Sequence, residues 1–342
     1  MKASFRHAVA FFLLLVWGCS RSSLEQSLQT QGSATKGAYQ QMLDFYRTHS
    51  PWTDPGQHQK MFDGIPNEIS SIVESVQGVL IHGGLVWLYE LNPTKAQDNG
   101  FEIRKTEDLL WRINSLDNAD LSIHRPKEKR LLVNCRQFAV LTCSILRHKG
   151  IPARARAGYA LYTWGRGKYE NHWICEYWNR DGQRWIQVDA QIDAQQKKLM
   201  HIDFNTLDMP RGKFVTAGEG WQRYRNGKVK VEVFGLGGKD GWNAIGWEMV
   251  MPNVTCDIMA LNKTELLPWD VNPYWVKKEA EMAPEDTALI EKAATFSNQV
   301  DSHWVQMREF YESNPVLRMG EDFEEKEQTH TAEQSDEADR PG

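Results

Sequence analysis

Two periods of apolar residues run along the chain and predict its helices and strands. Apolar residues recur every three or four positions in four segments, which predicts amphipathic helices. These segments are residues 38–48, 66–91, 106–117 and 284–313. The glycine pair at 83–84 is expected to interrupt the second helix, and the apolar stripe of the last is expected to pack on the body of the protein. A short helix is also expected over 259–270, stopped by Pro268.

Three segments alternate between apolar and polar residues, as strands do. They are residues 171–178, 183–190 and 228–235. The first two are rich in Trp, Tyr, Ile and Val, and they are separated by the strong turn sequence Asn-Arg-Asp-Gly. The sequence therefore predicts a β-hairpin over 171–190.

A cysteine stands at the predicted start of a helix. Residues 135–149 have one apolar face and are followed by a Gly and a Pro that stop a helix. Asn134 is a suitable N-cap, so Cys135 falls in the first turn, where unpaired N–H groups and the helix dipole favour a thiolate. Cys135 is thus a candidate nucleophile. Cys143, inside the helix, is expected to be a buried bystander.

The predicted hairpin carries a histidine and an aspartate on one face. A four-residue loop would pair Trp178 with Gln183 and make His172 and Asp189 direct cross-strand neighbours, with Cβ atoms about 5 Å apart. A two-residue Asp-Gly turn would make them diagonal neighbours on the same face. In either register the carboxylate can hold one imidazole nitrogen and leave the other for the cysteine. A purely structural His–Asp hydrogen bond is the alternative, and Asp193 is a weaker candidate for the aspartate.

The same residues carry a family pattern. Cys135, at a helix start, is followed by Gly-Ile-Pro-Ala-Arg, then Gly-Tyr, then His172-Trp173, and then a Trp-x-x-x-Asp segment that ends at Asp189. In order and spacing, residues 130–195 resemble the core of the transglutaminase-like superfamily. The resemblance implies an α+β fold with a papain-like core. In that core the catalytic cysteine lies at a helix N-terminus packed on an antiparallel sheet, with flanking helices.

The resemblance also implies a reaction. Cys135 would attack a peptide or protein amide and form a thioester, while His172 would shuttle the proton and Asp189 would orient the histidine. Transfer of the acyl group to an amine gives transamidation, and transfer to water gives hydrolysis. The reaction requires an oxyanion hole. The Cys135 backbone N–H is one candidate donor, and an upstream side chain, Gln77 or Trp52, is another.

Two alternatives to a cysteine enzyme remain open. One is a catalytically silent binding or scaffold module of the cell envelope with the same fold. The other is a metal site built from Cys135, His172 and Cys175, although His-x-x-Cys along a strand directs the two side chains to opposite faces. No cofactor is expected, and no Asp-rich loop of EF-hand type suggests calcium.

Three further polar residues fall in apolar surroundings. His82 follows an apolar run and is interpreted as a satisfied core histidine. Arg154 and Arg156 lie beside the Gly-Tyr segment, and they are expected to pair with buried carboxylates instead of binding substrate.

The first 19 residues have the features of an export signal. Lys2 and Arg6 precede an unbroken apolar run that is too short to cross a bilayer as a mature helix. Val-Trp-Gly-Cys then resembles a bacterial lipobox, in which Cys19 is lipidated. An uncleaved anchor and a plain signal peptide are the alternatives, and all three place the body outside the cytoplasm. We therefore expect an extracytoplasmic lipoprotein of the bacterial cell envelope, held to the membrane by a lipid at Cys19.

Charge is distributed unevenly along the chain. The net charge is −5, and residues 321–342 contain nine acidic and two basic residues, which leaves the rest of the chain close to neutral. A body without a basic excess gives no reason to expect nucleic acid as a partner. The predicted organisation is a signal with lipobox (1–19), a flexible tether (20–36), a transglutaminase-like domain (37–275), a helical extension (276–318) and an acidic disordered tail (319–342).

Overall fold

A computed structural model describes residues 36–97, 100–165, 167–319 and residue 323 of the chain. The predicted signal, Cys19, almost all of the tether and most of the acidic tail lie outside these residues. Within the described ranges, no helix is both long enough and apolar enough to span a membrane.

Helices and strands succeed one another without regular alternation. The helices are α1 (36–47), α2 (Ile69–Val79), α3 (Thr106–Leu116), α4 (Cys135–His148), α5 (Ala194–Leu199), α6 (Ala217–Arg225), α7 (Trp247–Leu261) and α8 (Pro284–Ser313). The strands are β1 (Leu80–His82), β2 (Leu131–Val133), β3 (Ala153–Ala160), β4 (Tyr169–Asn179), β5 (Arg184–Val188), β6 (Phe214–Thr216), β7 (Phe234–Gly238) and β8 (Gly241–Ala244).

A six-stranded sheet forms the centre of the molecule. Its order is β6-β3-β4-β7-β8, and β5 pairs with the C-terminal half of β4. All these pairs are antiparallel except β4–β7, so the sheet departs in one place from the antiparallel sheet that the sequence predicted. Helix α4 packs on β4 and β3. The predicted α+β class, with the cysteine helix packed on a sheet, is therefore confirmed.

The helix predicted over 66–91 is shorter than expected. It ends at Val79, because the backbone turns to extended angles at Leu80 and the next three residues form β1. Strand β1 pairs in parallel with β2, which supplies hydrogen-bond partners outside the helix. The glycine pair begins a 3₁₀ turn that packs against a ring: a Cβ on Gly83 would lie 2.1 Å from the Phe101 ring.

Two other predicted elements are wrong in place or type. Over residues 228–235 only the end is a strand, because residues 231–233 form a 3₁₀ turn and β7 begins at Phe234. The short helix expected over 259–270 is the last turn of α7, which starts at Trp247 and continues through Pro252. Pro252 is the sixth residue of α7, beyond the first four whose N–H groups have no partner in the helix, so the helix loses one internal hydrogen bond there.

The C-terminal helix packs as its apolar stripe predicted. It lies against α6 and α7. The stripe is buried or nearly buried at Ala293, Phe296, Val300, Met307 and Phe310, and it is partly buried at Leu289 and Trp304. The backbone is non-helical at Gln299 and His303, so the helix is kinked there.

A buried cluster of charges joins the sheet to α7 and α8. Arg156 forms a two-pronged ion pair with Asp257 at 3.0 and 2.9 Å and also contacts Glu176 at 3.0 Å. Arg154 donates to Glu176 at 2.8 Å and to Asp301 at 2.8 Å. The prediction that both arginines pair with buried carboxylates is confirmed. Burial would raise the pKa of Glu176, but the two guanidinium groups outweigh it and lower the pKa to about 2.

Replacing Asp257 by alanine should cost the protein about 3–5 kcal/mol of unfolding free energy, because the fully buried Arg156 would lose its bidentate partner. Asp301→Ala is the matched control. The Asp301 side chain is 48% exposed, and its loss should cost less than about 1 kcal/mol. Urea unfolding of the two variants measures both values. Equal, small losses would show that the cluster adds little to stability.

Candidate active site

Helix α4 begins at Cys135, as its cap predicted. Asn134 Oδ1 accepts the Arg136 N–H at 2.8 Å, and the Gln137 side chain accepts the Asn134 N–H at 3.2 Å. Gln137 Nε2 in turn donates to three backbone carbonyls of the 100–103 segment. These contacts fix the helix start. Cys135 lines a cleft there and is 8% exposed.

The predicted histidine and aspartate are in direct contact. His172 Nε2 lies 2.8 Å from Asp189 Oδ2, and both residues are buried. Burial alone would lower the pKa of His172, but the Asp189 carboxylate and the Cys135 thiol, which is also a hydrogen-bond partner, hold it well above its ordinary value. The structure thus brings all three predicted residues together. Because Nε2 is taken by Asp189, Nδ1 is left for the sulfur.

The hairpin register is the second of the two alternatives. Asn179 pairs with Arg184, and the ladder continues with the spacing that a two-residue turn predicts, so the directly opposed register is wrong. The Asn179 side chain accepts a backbone N–H inside the loop, and Gln183 adopts a left-handed φ of 48°. The loop therefore consists of residues 180–183, one position further along the chain than the four-residue loop considered above. His172 and Asp189 are therefore diagonal neighbours, and Asp189 lies just beyond β5.

Sequence reasoning missed Tyr162, which completes the environment of the aspartate. Its hydroxyl donates to the same Oδ2 that contacts His172, and its ring meets the His172 ring edge-on with centroids 6.3 Å apart. The other carboxylate oxygen accepts the Gln191 N–H at 3.0 Å. Burial would raise the pKa of Asp189, but His172, Tyr162 and this N–H together lower it. Tyr162 lies in the loop after β3, and no sequence pattern ties it to the hairpin.

Three other candidates from the sequence have structural roles elsewhere. Asp193 caps α5 by accepting the Gln196 N–H and also accepts the Tyr89 hydroxyl at 2.7 Å, so it does not orient His172. Gln77 Nε2 donates to backbone carbonyls of the 190–192 segment. Trp52 is almost fully buried in the core. Neither Gln77 nor Trp52 is among the residues lining the cleft, so neither is placed to be an oxyanion donor.

His82 lies at the cleft and is not a satisfied core histidine as predicted. The parallel pairing of β1 with β2 sets it opposite Val133, two residues before Cys135. Its Nδ1 is buried without a hydrogen-bond partner. Burial, aided by nearby His172, lowers the pKa of His82 to about 4, so its ring is neutral at physiological pH.

The remaining described cysteines lie away from the cleft. Cys143 and Cys175 are fully buried, and their sulfur atoms lie 3.1 Å apart. Cys175 therefore contacts α4 and does not join Cys135 and His172, which contradicts the metal site considered above. Within the described residues, no group of three or more His, Cys, Asp or Glu side chains could hold a metal ion.

The cleft over Cys135 has a volume of about 370 Å³. Its walls are mostly apolar or aromatic and include Leu85, Phe101, Trp164, Met200, Met249 and Trp269. A second, larger groove adjoins it and shares Asn171, Met249, Pro268 and Trp269 with it.

Comparison with known proteins gives one family and one structure. Residues 127–190 match the model of the transglutaminase-like superfamily. No curated protein matches the chain. A crystal structure of a candidate cysteine protease from Cytophaga hutchinsonii is similar at 20% sequence identity over 44% of this chain, with a TM-score of 0.26. The similarity covers 42% of that protein, and at this TM-score it carries no argument about architecture or activity.

The family match covers the elements that build the site. It extends from the 3₁₀ turn before β2, through α4 and the β3–β4 pair, to the residue after Asp189. Cys135, His172 and Asp189 all fall inside it. Residues 127–190 of this chain are therefore similar to the core of the transglutaminase-like superfamily.

Proposed function

We propose that the protein is a cysteine-dependent acyltransferase or hydrolase that acts on peptide or protein amides through a thioester on Cys135. The family match supports cysteine-dependent acyl transfer or hydrolysis in general terms. The observation that carries the finer proposal is the chain of contacts from thiol to imidazole to carboxylate, in which His172 contacts both Cys135 and Asp189.

The reaction follows from this arrangement. His172 takes the thiol proton on Nδ1, and the Cys135 sulfur attacks the amide carbonyl carbon to form a tetrahedral oxyanion. The C–N bond then breaks, and His172 returns the proton to the leaving nitrogen, so that an amine or ammonia departs and a thioester remains. Water or an amine next loses a proton to His172 and attacks the thioester carbonyl carbon. The C–S bond then breaks, the carboxylic acid or new amide departs, and His172 returns the proton to the Cys135 sulfur. Asp189 keeps the imidazole oriented throughout.

The oxyanion requires donors beside the sulfur. The helix cap engages the Arg136 N–H and leaves the Cys135 N–H for the substrate oxygen. Two neighbouring side chains in the cleft, Asn134 and His82, each carry a buried nitrogen without a partner. These two replace Gln77 and Trp52 as candidates for the second donor.

Cys135→Ala should abolish release of amine or ammonia from peptide amides, because no other described cysteine lines the cleft. In the wild-type protein, iodoacetamide at pH 6–7 should label Cys135 well ahead of the fully buried Cys143. Peptide mapping by mass spectrometry measures the labelling. Unchanged activity in the variant, or equally slow labelling of both cysteines, would favour the silent scaffold module.

Asp189→Asn should reduce kcat/KM by about 10²–10⁴-fold, because the imidazole loses its orienting carboxylate. It should also shift the basic limb of the pH–rate profile to lower pH. The carboxylate raises the pKa of His172, so without it the proton needed by the leaving nitrogen is lost at a lower pH. Asp193→Asn is the control and should leave that limb in place. An unshifted limb in Asp189→Asn would contradict the assigned role.

We also propose that the protein is exported and anchored by a lipid at Cys19, on the strength of the sequence of residues 1–19. Cys19→Ser should move the full-length protein from the membrane fraction to the soluble extracytoplasmic fraction of the producing bacterium. Immunoblotting of the fractions measures this. Retention of the variant in the membrane would favour an uncleaved anchor instead.

A further inference from the structure

Unpaired polar atoms are concentrated in the cleft. Five of the residues that line it each have a buried polar atom without a hydrogen-bond partner in the described part of the chain. They are His82 Nδ1, Asn134 Nδ2, Thr163 Oγ1, Glu170 Oε2 and Gln191 Oε1. Such atoms cost stability wherever they occur in a folded protein, and each requires an explanation. A polar ligand that enters the cleft would supply the missing partners.

Glu170 is the charged member of this group. It lies on β4 two residues before His172, so the two side chains leave the strand on the same side. One carboxylate oxygen accepts the Gly237 N–H at 3.2 Å, and the other is the unpaired Oε2. Burial raises the pKa of Glu170, and polar contacts from Thr163, the Gly237 N–H and Trp164, together with the nearby His172, oppose this only in part. The charge of Glu170 is therefore compensated less than that of Glu176 on the same strand, which has two guanidinium partners.

The residues around Glu170 favour a ligand with a positive charge. Among the described residues that line the cleft, it is the one carboxylate, and no lysine or arginine accompanies it. Two indole rings, Trp164 and Trp269, lie on the walls. Trp164 packs directly on Gly237, where a Cβ would approach the ring to 2.0 Å, so carboxylate and ring are held by the same strand. A carboxylate flanked by indole rings is a binding site for a cationic nitrogen.

We propose that Glu170 binds an alkylammonium group of the substrate in the cleft beside Cys135. The ammonium would donate to the Glu170 carboxylate and contact the indole rings of the cleft wall. The group has two possible sources, which share this chemistry: the amine that accepts the acyl group, or a basic side chain next to the amide that is attacked. The role in turnover rests on the proposed function, whereas the binding itself does not.

Binding is tested without turnover. In the Cys135→Ala protein, n-butylammonium should bind and quench the fluorescence of the cleft tryptophans at neutral pH. Adding Glu170→Gln should weaken its affinity by about tenfold or more, because a charge-assisted hydrogen bond is lost. Glu170→Asp should retain part of the affinity. Glu74→Gln, an exposed carboxylate on α2, is the matched control and should change nothing.

A neutral probe of the same size separates charge recognition from apolar contact. The affinity of the Cys135→Ala protein for n-butanol should be the same with and without the added Glu170→Gln substitution. If n-butylammonium binds no better than n-butanol in the Cys135→Ala protein, or if Glu170→Gln weakens both probes equally, the inference is wrong. Thermal unfolding of each variant shows whether it is folded.

Turnover then identifies the source of the ammonium. p-Nitrophenyl acetate should acylate Cys135, and the acyl-enzyme partitions between water and n-butylamine. Reduced transfer to the amine in Glu170→Gln, with hydrolysis unchanged, assigns Glu170 to the acceptor. The alternative result is that Glu170→Gln slows acylation by a lysine-containing peptide amide more than acylation by the same peptide with norleucine, while the partition between water and n-butylamine is unchanged. Glu170 then binds a basic side chain of the acyl donor. If no acyl-enzyme forms, the proposed function fails, and the binding test still decides the inference.

Discussion

The contact between α4 and β4 holds the site together. The two elements touch at Cys143 and Cys175, whose sulfur atoms lie 3.1 Å apart in the core. Cys135 lies eight residues N-terminal to this contact along the helix, about 12 Å away. His172 lies three residues N-terminal to it along the strand, about 10 Å away. Both reacting groups are thus placed at fixed distances along rigid elements from one contact in the core, and the cap at Asn134 determines where the helix begins.

Strand β4 carries a glutamate near each end, and the two carboxylates differ in how many partners they have. Near its C-terminal end, Glu176 has two guanidinium partners and is joined through Arg156 to Asp257 on α7, so the helices brace the sheet. Near its N-terminal end, Glu170 keeps an unpaired oxygen at the cleft. Partners offset the cost of burying a carboxylate, whereas a buried carboxylate with fewer partners is more costly. The strand therefore joins an end where the buried charge is fully compensated to an end at the cleft where it is compensated only in part.

The parts of the site that depend on local rules could be predicted from the sequence. The cap at Asn134 set Cys135 at the helix start, and alternation in the hairpin brought His172 and Asp189 to one face. Alternation did not determine the register, because His172 and Asp189 lie on the same face of the hairpin in both registers. It was decided by the Asn179 side chain and the left-handed backbone of Gln183, which no periodicity describes.

The parts that depend on tertiary contacts could not be predicted in this way. Tyr162 reaches Asp189 from a loop 27 residues earlier, and His82 reaches the cleft only because β1 pairs with β2, which is distant along the chain. The apolar period alone also failed at 231–233, where alternating, partly buried valines lie in a 3₁₀ turn, and in α7, which accommodates a proline. Glu170 and Glu176 are equivalent as sequence positions, since both are acidic residues of one strand with the same parity. Only their partners in space separate the carboxylate that pairs with two arginines from the one that lines the cleft.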